Sequence, residues 1–157
     1  MQTLSELQPT SVWSYFEEIL AIPRISKHEN RITEYLETFA HKEGLAHQRD
    51  SVGNLLISKA ATPGMEDRKG VILQSHLDMV GESNAHVRHD FHKDPIVPVL
   101  DGNWVKASET TLGADDGIGI AASMAILAAN DLKHGPLECL FTVDEESGMT
   151  GAFGLQP

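Results

Sequence analysis

The sequence has little cysteine, few bases and no long hydrophobic run. Its single cysteine, Cys139, excludes an intrachain disulfide framework. Lys and Arg number 12 against 23 Asp and Glu, for a net charge of −11. So acidic a chain is repelled by a phosphate backbone, which argues against a nucleic-acid partner. The longest mostly apolar stretch, residues 117–129, is too short to cross a bilayer and is interrupted by Ser123, so no membrane partner is expected. The opening Met1-Gln2-Thr3-Leu4-Ser5-Glu6 lacks the basic-then-apolar pattern of a signal peptide, and a cytoplasmic location is the expectation. Neither an internal repeat nor a low-complexity tract is visible. What is present is 157 residues, 41% hydrophobic and 22% charged, which suits one globular domain with its own core.

Residues 9–20 place Val12, Phe16, Ile19 and Leu20 on one helical face, and Pro23 closes that helix. Ser26 and Glu29 then read as an S-x-x-E capping box ahead of a second helix. That helix carries Ile32, Tyr35, Leu36 and Phe39 and ends at Gly44. From there the period changes. Residues 54–58 read as a strand and Thr62-Pro63-Gly64 as a turn. Val71-Ile72-Leu73 begins a strand, apolar on consecutive residues and therefore expected to be buried on both faces. Asp101-Gly102-Asn103 is a turn into Trp104-Val105-Lys106. Residues 113–119 form a glycine-rich loop opening a helix to about Asn130, apolar almost all round and so expected in the interior. His134-Gly135-Pro136 breaks the chain before a strand at residues 137–143, and residues 151–157 carry no helix or strand signal. Helices alternating with apolar strands predict an α/β fold, a sandwich around a mixed sheet that is incomplete at its C-terminal side.

Carboxylates gather at the ends of three of these elements. In Gln74-Ser75-His76-Leu77-Asp78, residues two apart on a strand share a face, so His76 and Asp78 address one cavity. A neutral imidazole suits zinc, and an adjacent carboxylate fixes its tautomer and orientation. The loop Leu112-Gly113-Ala114-Asp115-Asp116-Gly117 delivers Asp115 to a helix start, with glycines that let backbone approach a ligand. It has neither the G-x-G-x-x-G spacing nor the lysine of a nucleotide loop. Asp144-Glu145-Glu146 follows a buried strand, and three successive acids repel one another unless a cation offsets them. Taken singly, each also has a structural reading: a satisfied His–Asp pair, an Asp helix cap, an exposed acidic turn. Together they suit zinc, with cobalt or manganese as alternatives.

These segments resemble the dinuclear zinc peptidases, a group of carboxypeptidases, aminoacylase-type enzymes and dipeptidases. Residues 71–80, 89–96, 110–119 and 145–149 carry the resemblance, and Leu112-Gly113-Ala114-Asp115 with Asp94-Pro95-Ile96 point to the aminoacyl-histidine dipeptidase branch. The resemblance implies two divalent ions, with His76 on one, Glu146 on the other and Asp115 bridging both. It implies catalytic roles for Asp78, which steadies His76, and for Glu145, the general base and acid. It further implies a non-proline cis peptide at Asp115-Asp116, and assigns Asp116 no role. The reaction implied is hydrolysis of dipeptides, Xaa-His and broader, by a water activated between the two metals.

By the same resemblance, residues 1–157 are the N-terminal part of the catalytic domain. Further ligands, a lid or dimerisation domain and a homodimer are expected from a longer chain, and the isolated segment is expected to bind metal weakly and hydrolyse little. Two other readings stay open: a non-catalytic truncated fragment, and an N-acyl amino-acid deacylase of the same metallohydrolase group. His86, His89 and His92, spaced i, i+3, i+6, read as a loop and not as ligands, and Cys139 as inert core.

Overall fold

The structure, a computed structural model, describes residues 3–156. A short 3-10 turn at Leu4–Glu6 precedes helices α1 (Thr10–Leu20) and α2 (Asn30–Lys42). Strands β1 (Ala46–Arg49), β2 (Leu55–Lys59) and β3 (Val71–His76) follow, then the hairpin of β4 (Pro98–Asp101) and β5 (Trp104–Ala107). Helix α3 (Ala114–Ala128), strand β6 (Leu137–Thr142) and helix α4 (Thr150–Gly154) complete the order. The main sheet runs β1-β2-β6-β3, antiparallel except for the parallel pair β3–β6. It is the mixed-sheet α/β fold class expected from the sequence. No helix among the described residues is long and apolar enough to cross a membrane.

One face of the sheet makes the core. In register, Leu55, Ile57, Cys139 and Phe141 turn inward and pack with Phe16, Ile19 and Leu20 of α1, Ile32, Leu36 and Phe39 of α2, and Ile120, Met124 and Leu127 of α3. Each such side chain stabilises the fold by roughly 1.5–3 kcal/mol on burial. The helical spacings therefore land where predicted, and α3 is buried or half-buried along most of its body.

Four expectations need correction. Val71 and Ile72 are 48% and 62% exposed, because β3 is the sheet's edge strand: Ile72 lies on its uncovered outer face, and Val71, in register with Leu137 on the core side, stands at the strand's open start. The capping box does not form: α2 starts at Asn30, its N-cap is Glu29, and neither the Ser26 nor the Glu29 side chain caps its first turn. Lys27 at φ 69° instead turns the chain so that both side chains reach other segments. Two four-residue strands were not anticipated: β1, polar and exposed throughout, and β4, which opens on a proline. Finally, the tail read as structureless holds α4, whose Gly151 packs so closely on Val143 and Asn54 that a Cβ there would lie 2.3 Å from Asn54 Oδ1. Its last residue, Pro157, lies outside the described residues.

Candidate metal centre

The three acidic segments converge. β3 ends in His76, which lies 7% exposed beside the end of its parallel partner β6. The chain then carries Asp78, fully buried, into the interior. Gly113, at φ 69°, turns the approach to α3 so that Asp115 projects outward, its side chain 87% exposed. The Asp115-Asp116 peptide is cis, as the resemblance implied, and residues 115 and 116 depart from helical geometry. After β6, Asp144 at φ 55° bends the backbone and presents Glu145 and Glu146 to the same cleft.

The distances are short. His76 Nε2 lies 2.9 Å from Asp115 Oδ1 and 3.9 Å from Glu145 Oε2. One ligand atom each from His76, Asp115 and Glu146 falls within 4.8 Å of the others. One imidazole nitrogen and two carboxylate oxygens form a donor set that fits a zinc-type cation.

The electrostatics point the same way. Burial alone would lower the His76 pKa, but hydrogen bonds to Asp78 and Asp115 and the charges of Asp78 and Glu145 outweigh it and push it up to about 9. Glu146 is held above the ordinary carboxylate range by burial first and then by Glu145, Asp115 and Asp78, with His76 opposing. Asp116 is pushed up chiefly by burial, which the charge of His76 and hydrogen bonds to Ser75 and the amide of Gly119 only partly offset.

Asp78 does more than the sequence suggested. Its own backbone carbonyl lies 3.1 Å from His76 Nδ1, nearer than its carboxylate at 3.4 Å. The carboxylate accepts the Glu145 amide at 2.9 Å, the Glu146 amide at 3.0 Å and the Ser26 hydroxyl at 2.7 Å. Burial pushes its pKa up, but these donors together with His76 hold it well below the usual range. A single buried carboxylate thus clamps the imidazole and the turn bearing both glutamates.

Sequence reasoning missed five partners of this centre, of which Ser26 on Asp78 is already described. Arg24 donates from Nη1 to the carbonyls of Leu77 and Asp78, each at 2.9 Å, and from Nη2 to that of Gly113. Glu29 accepts the amides of Lys27 and Asp144, both at 2.9 Å. Ser147 and Thr150 donate their hydroxyls to the Asp144 carboxylate. Only Ser26 and Glu29 carried a signal, and the capping-box reading absorbed it. His86 is exposed and 3.3 Å from Glu109, His89 packs on Phe91, and His92 lies edge-on to His28. His89 and His92 line a cleft with Glu146, but none of the three is in the ligand cluster. Cys139 is fully buried, and burial pushes its thiol up to about 11.

No family model matches the chain. Cytosol non-specific dipeptidase of Escherichia coli (strain K12) is 54% identical over 156 residues, 99% of this chain and 32% of the relative. The crystal structure of aminoacylhistidine dipeptidase from Vibrio alginolyticus superposes with a TM-score of 0.97 at 52% identity, again over 99% of this chain and 32% of its own. A tripeptidase from Staphylococcus aureus matches at TM-score 0.75 and 25% identity, covering 93% of this chain and 39% of its own. The chain resembles peptidases along its whole length and spans about a third of the length of the dipeptidases it matches.

Proposed function

We propose that this chain is part of the catalytic domain of a cytoplasmic, metal-dependent dipeptidase that cleaves Xaa-His and other dipeptides. The observation that carries this reading is the meeting of His76, Asp115 and Glu146, from three distant segments, with ligand atoms within 4.8 Å. His76 and Glu146 would each hold one divalent ion and Asp115 both, zinc fitting best and cobalt or manganese serving as substitutes. When bound, such a pair makes a water acidic enough to attack near neutral pH and polarises the scissile carbonyl.

This chain's own residues do the rest. Glu145, with its carboxylate 39% exposed at the cleft, takes the proton of the attacking water and returns it to the leaving amine. Asp78 holds the imidazole and the backbone of Glu145 and Glu146 in one frame, so the base and the ligands keep their spacing.

Each metal finds only two protein ligands here, counting Asp115 twice, where catalytic zinc usually has three and a water. Further ligands, a lid and the contacts of a homodimer belong, in this reading, to additional chain. The uncovered edge strand β3, with Val71 and Ile72 exposed, is the place where such chain would pair.

The test is Glu145→Gln in the full-length enzyme that carries these residues, assayed against aminoacyl-histidine dipeptides and N-acyl amino acids. Zinc content stays unchanged while dipeptide turnover falls about 10²–10⁴-fold. Undiminished turnover would refute the role of Glu145, and preference for the acylated substrates would move the chain to the deacylases.

A further inference from the structure

The connector between α1 and α2 makes bonds to every segment of the centre, and nothing in the motifs accounts for it. Arg24 is 1% exposed, among the most deeply buried large side chains in the molecule. A buried cation ordinarily needs a carboxylate partner in contact. Here the hydrogen-bond partners of the guanidinium are backbone carbonyls: those of Leu77 and Asp78 beyond β3, and that of Gly113 ahead of α3. Desolvation pulls its pKa down to about 10, and the charges of Asp78 and Asp116 only partly offset it. So costly a placement yields one geometric result: the backbone next to His76 and the backbone two residues before Asp115 are tied to a single rigid plane.

The surroundings are shaped for that plane. A Cβ on Gly113 would lie 2.8 Å from Arg24 Nη2, and one on Gly117 2.6 Å from the same atom. Two glycines of the loop are therefore needed to admit the guanidinium, a demand separate from ligand access. The connector continues the pattern. The Arg24 carbonyl accepts the Met79 amide at 3.1 Å, and Ile25 bridges Met79 in parallel. Ser26 then reaches the Asp78 carboxylate, and Glu29 the amide of Asp144, next to Glu145.

We propose that the Arg24–Ser26–Glu29 connector registers the three acid-bearing segments against one another, with Arg24 the positioning residue that sets the spacing of His76 and Asp115. This rests on the metal-centre reading above. None of the three side chains belongs to the group of candidate ligands; each acts through the backbone or carboxylate it holds. A planar fork can span two carbonyl groups from separate segments, whereas a lysine ammonium keeps the charge and loses the span.

The experiment compares Arg24→Met and Arg24→Lys with the parent in the full-length enzyme that carries these residues. It uses zinc titration, the absorption of bound cobalt, and amide NMR of the metal-free protein. Both variants are expected to bind zinc about 10- to 100-fold more weakly than the parent. Their cobalt spectra should change, and amide shifts should concentrate at residues 76–79, 113–117 and 145–146 while the cores of α1 and α2 stay put. Parent-like affinity and spectrum in either folded variant would overturn the proposal. Should Arg24→Met not fold, Arg24→Lys decides by the same criteria. If the parent takes up no zinc, the metal-centre reading fails, and the NMR alone judges Arg24: shifts confined to those segments support registration, and their absence refutes it.

Discussion

Asn54 stands 2% exposed at the start of β2 and joins three pieces of chain. Its Nδ2 donates to Asp50 Oδ2 at 2.8 Å and to the Gly151 carbonyl at 2.9 Å, while its Oδ1 accepts the Val143 amide at 3.1 Å. Asn54→Ala strands a backbone donor and a backbone acceptor in the interior. Each such group costs about 1–3 kcal/mol, and water entering the space left recovers part of it, so a net loss of about 2–4 kcal/mol is expected. With an m-value of about 1.5 kcal/mol/M, the urea midpoint falls by about 1.5–2.5 M. Asn54→Asp is the sharper perturbation, because it has nearly the same shape. It keeps the acceptor for Val143 but sets a carboxylate against Asp50 and the Gly151 carbonyl, where no donor remains. At pH 7 it should destabilise at least as much as alanine. The crowded pair then takes up its first proton above the ordinary carboxylate range. The deficit therefore shrinks as pH falls through that raised value and is largely gone near about pH 4, where one carboxyl has become a donor. Urea unfolding at pH 7 and pH 4, followed by circular dichroism, reads both effects. An Asn54→Asp protein as stable as the parent at pH 7, or a deficit indifferent to pH, would refute the reasoning.

Asp50 itself accepts the amides of Val52, Gly53 and Asn54, and these bonds with the Asn54 side chain outweigh its burial and hold its pKa below the usual range. A depressed folded pKa gives stability that is full above the unfolded value, near 4, and lost as pH falls through the folded value. Asp50→Asn should therefore cost about 1–2 kcal/mol at pH 7 and nothing in strong acid, and an equal cost at both pH values would contradict this. Cys139, with no exposure and a raised pKa, should react with iodoacetamide at least about 100-fold more slowly in the native chain than in denaturant; equal rates would show the core to be open. Replacing His86 and His92 together with Ala should leave zinc affinity within a factor of about two, and an order-of-magnitude loss would make them ligands.

Much of the fold was legible because burial imposes a period. Val12, Phe16 and Ile19 on α1 and Ile32, Leu36 and Phe39 on α2 repeat at helical spacing because one face of each meets the sheet. The same logic misled at β3. A run of Val71-Ile72-Leu73 reads as doubly buried, and the residues are indeed built for it, yet nothing in the described chain lies against their outer side. The pattern reports the environment for which the strand is suited, and a sequence does not say whether that environment lies within its own length. β1 failed for the opposite reason: all four of its residues are exposed, so pairing with β2 leaves no apolar trace.

The centre divides along a similar line. Ligand-type residues announce themselves by clustering: successive acids after an apolar strand invite a cation, although Asp144 finds its partners in the hydroxyls of Ser147 and Thr150. The residues that hold them do not. Ser26 and Glu29 have the spacing of a helix cap, and only the turn at Lys27, φ 69°, diverts them, one to Asp78 and the other to Asp144. Arg24 is a lone base after a proline, indistinguishable in sequence from any solvated arginine. Its partners are carbonyl oxygens, which every residue has and which therefore leave no pattern. A group that recognises side chains can be inferred from the company of those side chains; one that recognises backbone can be found only once the backbone is in place. Positioning by main-chain contact is thus the part of a site that sequence reading systematically undercounts, and Arg24 is where this chain makes the difference measurable.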